Sequence, residues 1–159
     1  MGKDGKNNIS GLQMRKSIVL ILLGFFISSC SFPKIIVYDD PLSASQHNDL
    51  GVIYEKKGEF DLAEKEYKKA INKDKNWYLP YFNLGNLYYK MGKKEKAIEY
   101  YLKSLEKEKN PDTLNNLAYV LYELGRYEEA KKYIEEALSI KKDPNYEDTY
   151  KKILEKLNR

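Results

Sequence analysis

The strongest constraint in this chain is a pattern that returns after 34 residues and again after 33. Leu50, Gly51, Tyr54, Gly58, Ala63, Tyr67 and Ala70 recur as Leu84, Gly85, Tyr88, Gly92, Ala97, Tyr101 and Ser104. They recur once more as Leu117, Ala118, Leu121, Gly125, Ala130, Ile134 and Ala137. Self-similarity at this period belongs to stacked helical arrays, in which each unit can bury its apolar face only against the next. The small residues let paired helices approach, the larger ones fill the remaining volume, and Gly58, Gly92 and Gly125 permit the turn inside each hairpin.

The repeat predicts an all-α fold with helices near 44–57 and 60–73, 78–91 and 94–108, then 112–124 and 127–141. Ser43 with Gln46 reads as a capping box that opens the first helix. Pro80 and Pro111 stand at or before helix starts, where a missing amide costs little. Asp143 and Pro144 open a final helix. Tyr146, Tyr150, Ile153, Leu154 and Leu157 line one of its faces, opposite Glu147, Lys151, Lys152, Glu155 and Lys156, a pattern suited to covering the last apolar face of a stack. Tyr54, Tyr67, Tyr81, Tyr88 and Tyr101 take core-facing places in the repeat and account for part of an unusual 15 tyrosines.

This pattern resembles the tetratricopeptide repeat over about residues 44–144, most cleanly in the middle unit. The resemblance implies a solenoid of three helix-turn-helix repeats (44–77, 78–110 and 111–144) with a capping helix over 145–159, acting as a protein-binding scaffold. In that family the first helix of each unit lines a concave groove. Carried over, this implies a peptide groove from Asn48, Val52 and Glu55 in unit one, Leu79, Phe82, Asn83, Asn86 and Tyr89 in unit two, and Asn115, Asn116, Tyr119 and Tyr122 in unit three. Asparagine amides both donate to and accept from a peptide backbone, and aromatics favour binding hot spots. The convex face and an oligomer interface stay open as alternatives, because asparagine also occupies these places in ligand-free members. The family's chaperone-type clamp for a C-terminal carboxylate matches only at Asn83. Asn48, Val52, Asp112 and Asn116 stand where other clamp members would be, so a free carboxylate terminus is not the expected ligand.

Charge excludes a second class of partner. The formal +4 falls away once residues 1–29 are set aside: they hold Lys3, Lys6, Arg15 and Lys16 against Asp4, leaving 24 basic and 23 acidic side chains. So small an excess releases few counterions, and no basic stripe is present, so nucleic acid is not an expected partner. With a third of residues charged and a mean hydropathy of −0.69, the body is well solvated. An enzyme is not expected either. His47 is the only histidine, and it falls where the repeat packs a large ring. There is no Cys/His cluster of metal spacing, no phosphate-cradling glycine loop and no paired carboxylates. Neither a cofactor nor a small-molecule substrate is predicted.

The N-terminal residues carry a separate message. Arg15 and Lys16 precede an apolar run from Ile18 to Ile27, too short to span a bilayer and of signal-peptide length. It ends in Ile27-Ser28-Ser29-Cys30, which resembles a bacterial lipobox, and Cys30 is the only cysteine. Its thiolate would accept the lipid, and further acyl chains would make the attachment stable. The reading is thus a signal peptide over 1–29, a lipid-bearing Cys30 and a tether over 30–43, with an ordinary secretory signal as the alternative. Met14 begins a more compact signal than Met1. Ser31 after the cysteine favours the outer membrane where a cell has one. The expectation is a lipid-anchored bacterial envelope protein that binds an extended segment of another envelope protein in assembling a complex. Self-association through the end faces of the stack is the competing expectation.

Overall fold

The computed structural model describes residues 40–158, and residues 41–159 form a compact unit by themselves. The signal segment, Cys30 and most of the tether lie outside the described residues. Among the described residues seven helices follow one another: α1 (Ala44–Lys56), α2 (Phe60–Lys73), α3 (Leu79–Lys90), α4 (Lys94–Leu105), α5 (Pro111–Glu123), α6 (Tyr127–Ile140) and α7 (Pro144–Leu157). None of the described helices is long and apolar enough to cross a membrane.

Local chemistry marks the helix ends. The Ser43 hydroxyl accepts from the Gln46 amide at 3.2 Å while the Gln46 side chain accepts from the Ser43 amide at 2.8 Å, a complete capping box. Asn110 and Asp143 cap α5 and α7 in the same spirit, each followed by proline at the first helical position. Gly58, Gly92 and Gly125 all take positive φ, from 72 to 77°, between the helices of their hairpins. The α4 expectation needs correction, since that helix ends at Leu105 and not at 108. The chain must leave the helix to reach Asn110, which precedes proline and is therefore held extended.

Each hairpin closes on a small residue. A Cβ at Gly51 would lie 2.4 Å from the Tyr67 ring, and one at Gly85 the same distance from Tyr101. Unit three has Ala118 and Ile134 at these places, both fully buried, so the larger small residue goes with the smaller partner. From there one apolar cluster runs through all three units to Tyr146 and Ile153 of α7. Tyr67, Tyr88 and Tyr101 are buried in it as expected, but Tyr54 is only partly buried. Tyr81 departs from the expectation. It is only partly buried and stands outside the apolar cluster, its hydroxyl donating to the Lys75 carbonyl at 3.1 Å, with the Lys107 ammonium over its ring.

His47 is packed, fully buried, with Nδ1 2.7 Å from Glu66. Burial raises the Glu66 pKa, but hydrogen bonds from Lys69 and His47 outweigh it and hold the carboxyl below its usual 4.5. A carboxyl depressed in the folded state contributes stability that is complete above the unfolded value and is lost as pH falls through the folded one. Acid melts should therefore show the parent losing stability below about pH 4.5, with a shallower loss in Glu66→Gln. Identical slopes for the two proteins would refute this role for Glu66.

Candidate functional site

The first helices of the hairpins, α1, α3 and α5, frame a concave cavity of about 560 Å³. A helix repeats its face every three to four residues, so Val52 and Glu55 of α1, Asn83, Asn86, Tyr89 and Lys90 of α3, and Asn115, Asn116, Tyr119 and Val120 of α5 reach it together. The phenol ends of Tyr67 and Tyr101 form part of its lining from the second helices, and Lys56 stands at its edge.

A hydrogen-bonded layer ties this lining together. Asn86 Oδ1 accepts from the Tyr101 hydroxyl at 2.7 Å and from Asn116 Nδ2 at 3.0 Å, and Asn116 in turn accepts from Asn115 at 3.3 Å. Glu55 accepts from the Tyr67 hydroxyl at 2.7 Å and pairs with Lys90. Asn83 donates to Asn48 at 2.8 Å. Burial, reinforced for Tyr67 by Glu55, raises the phenols of Tyr67 and Tyr101 far above their usual range. Tyr89 is pushed up to about 12 by burial and then by Glu123. All three are neutral donors at physiological pH. One acceptor in the lining, Asn115 Oδ1, is buried and has no protein partner. Against this polar layer Tyr89 and Tyr119 set an edge-to-face pair, centroids 6.2 Å apart.

Of the residues expected in the groove, Asn83, Asn86, Tyr89, Asn115, Asn116 and Tyr119 are brought together, with Val52 and Glu55. Three others are not part of the lining. Asn48 is buried and accepts from Asn83, Phe82 packs against the Tyr101 ring, and Tyr122 is partly buried against the core between the rings of Tyr119 and Tyr127. Leu79 is also absent from it. Lys56, Lys90 and Val120 are not among the expected groove residues, and neither are Tyr67 and Tyr101, whose places in the repeat read as core alone. The signal was available: a long amphipathic ring packed in a core still sends its polar tip to an edge. Among the described residues no group of His, Cys, Asp and Glu is placed to hold a metal ion.

Stacked α-hairpins with a concave groove of amides and aromatic rings and a capping helix define a helical-repeat interaction scaffold. Models of the tetratricopeptide repeat match residues 51–92, 78–110 and 112–143, and the chain belongs to that family. Solved structures agree on the fold. The first TPR of Spaghetti (RPAP3), bound to the HSP90 peptide SRMEEVD, is 21% identical with a TM-score of 0.71, over 77% of this chain and 99% of that one. The second TPR domain of human RPAP3, in complex with the HSP70 peptide SGPTIEEVD, is 22% identical with a TM-score of 0.66, over 70% and 94%. The N-terminal domain of stress-induced protein-1 from C. elegans is 20% identical with a TM-score of 0.64, over 70% and 94%. No curated protein matches the sequence.

Proposed function

We propose that this protein is a membrane-tethered adaptor whose groove holds an extended, internal segment of another envelope protein during assembly of a complex. The observation that carries the groove reading is the concave cavity walled by Asn83, Asn86, Asn115 and Asn116 beside the Tyr89–Tyr119 pair. Side-chain amides on such a wall both donate to and accept from the backbone of an extended segment, and the aromatic pair offers it apolar contact. The two RPAP3 domains, solved with chaperone peptides bound, support a peptide ligand in general. A free carboxylate terminus fits less well, because Lys90 is already paired with Glu55 and that carboxylate itself lines the cavity. The tether rests on the lipobox alone.

Two experiments test the two halves separately. A photo-crosslinking amino acid at Tyr119 should capture a discrete envelope partner in living cells, whereas one at Tyr133, on the second helix of its hairpin, should not. Equal capture at both positions moves the binding site off the groove. Cys30→Ala should abolish lipid labelling and release the protein from membranes, and unchanged membrane association would remove the anchor from the proposal.

A further inference from the structure

A solenoid unit hides its apolar side chains under the unit before it, and the first unit has no predecessor among the described residues. The repeat allows this deficit to be read position by position. Ile53 corresponds to Leu87 and Val120, which are 0% and 1% exposed, yet Ile53 is 47% exposed. Leu50 corresponds to Leu84 and Leu117, and Tyr54 to Tyr88 and Leu121. All four of those equivalents are buried, whereas Leu50 and Tyr54 are only partly so. Leu62 extends the patch. Its equivalents are Lys96 and Glu129, so unit one alone places an apolar side chain there, 43% exposed. Lys96 lies over the Tyr88 ring, and by the same register Leu62 belongs beside Tyr54.

We infer that this end of the stack, formed by Leu50, Ile53 and Tyr54 of α1 with Leu62 of α2, docks the same face of a second copy of the chain. The other end offers no apolar counterpart, because α7 closes it and turns exposed Glu147, Lys151, Lys152, Glu155 and Lys156 to solvent. Head-to-tail stacking would leave the patch against charge, whereas head-to-head pairing matches apolar to apolar. The flanking charges fit a two-fold arrangement. Asp49 and Lys57 are exposed, lie toward opposite ends of the apolar stripe on α1, and form no ion pair among the described residues. Antiparallel pairing of two α1 helices brings the Asp49 end of each against the Lys57 end of the other, which is the self-complementarity an isologous dimer requires. The patch is small, so the dimer is a weak, concentration-dependent one.

The test uses the compact unit of residues 41–159, which contains no cysteine, and the full chain in detergent. Sedimentation across a concentration series should show the unit rising from one chain toward two. Leu62→Lys installs the residue unit two already has, and Ile53→Lys alters a half-exposed position. Both should keep the parent's helical melt while weakening the dimer about tenfold or more, since each brings an ammonium into an apolar contact. Ile53→Cys should crosslink to itself on oxidation, and Ile140→Cys, equally exposed on α6, should not. A unit that stays a single chain at every concentration overturns the inference, as does a dimer indifferent to both lysines. So does an Ile53→Cys variant that crosslinks only to Ile140→Cys, or a full chain that stays monomeric while the unit dimerises, which would assign the patch to residues upstream of 41.

Discussion

Gly85→Val is expected to destabilise the stack by about 3 kcal/mol, at the upper end of what overpacking costs. The reason is specific. The first carbon of any side chain at 85 would sit 2.4 Å from two atoms of the Tyr101 ring, which is itself 1% exposed and held at its far end by the bond to Asn86. Neither the ring nor α3 can yield without opening the contact between α3 and α4. That contact lies in the middle unit, so the loss reaches both neighbours. Valine also loses side-chain freedom in a helix, whereas removing a helical glycine alone would stabilise by about 1 kcal/mol. The two proteins should differ by many degrees on heating. Combining Gly85→Val with Tyr101→Leu should cost clearly less than the two changes summed, because the ring that collides is gone. Strict additivity in urea melts, or a parent-like melting point for Gly85→Val, would contradict the contact.

Asn86→Ala is expected to cost about 2 kcal/mol of stability in addition to any effect on binding. A side chain that lines a groove without internal partners is a surface group, and its loss usually leaves the fold almost untouched. The structure says otherwise, because Oδ1 of Asn86 is the shared acceptor of the Tyr101 hydroxyl and the Asn116 amide. Truncation strands two donors in a part-buried layer, at about 1–3 kcal/mol for each that stays dry. Asn86→Asp keeps an acceptor at that place and should recover most of the loss. Asn115→Ala removes only an outer member of the same layer and should melt nearer the parent, which makes it the cleaner probe of ligand binding. Equal melts for Asn86→Ala and Asn115→Ala would show that the layer is not cooperative in this way.

The register of the repeat determined which residues meet. Small residues at 51, 85 and 118 against large ones at 67, 101 and 134 identify the partners inside each hairpin, because their spacing survives whatever the surface does. Caps and prolines placed most helix ends to within a residue. The reading went astray where one residue type serves two purposes. Asparagines at 48, 83, 86 and 116 look alike in sequence, yet Asn48 is buried support while Asn83, Asn86 and Asn116 line the cavity. Tyrosines at 67 and 101 were legible as core, and their hydroxyls as groove lining were not.

What the sequence by itself determined is the unit: its length, its helices, its internal contact and the family those define. Tertiary structure decided how the units differ. Helical periodicity says which face a side chain occupies, but what covers that face depends on the neighbour stacked against it. Leu87 and Ile53 hold the same place in the repeat, and only the presence of a preceding hairpin buries one and leaves the other half exposed. The same holds for the groove. Its acceptors and donors come from three hairpins, and whether an amide there is satisfied or open is settled by distances of about 3 Å across helices that no spacing along the chain encodes.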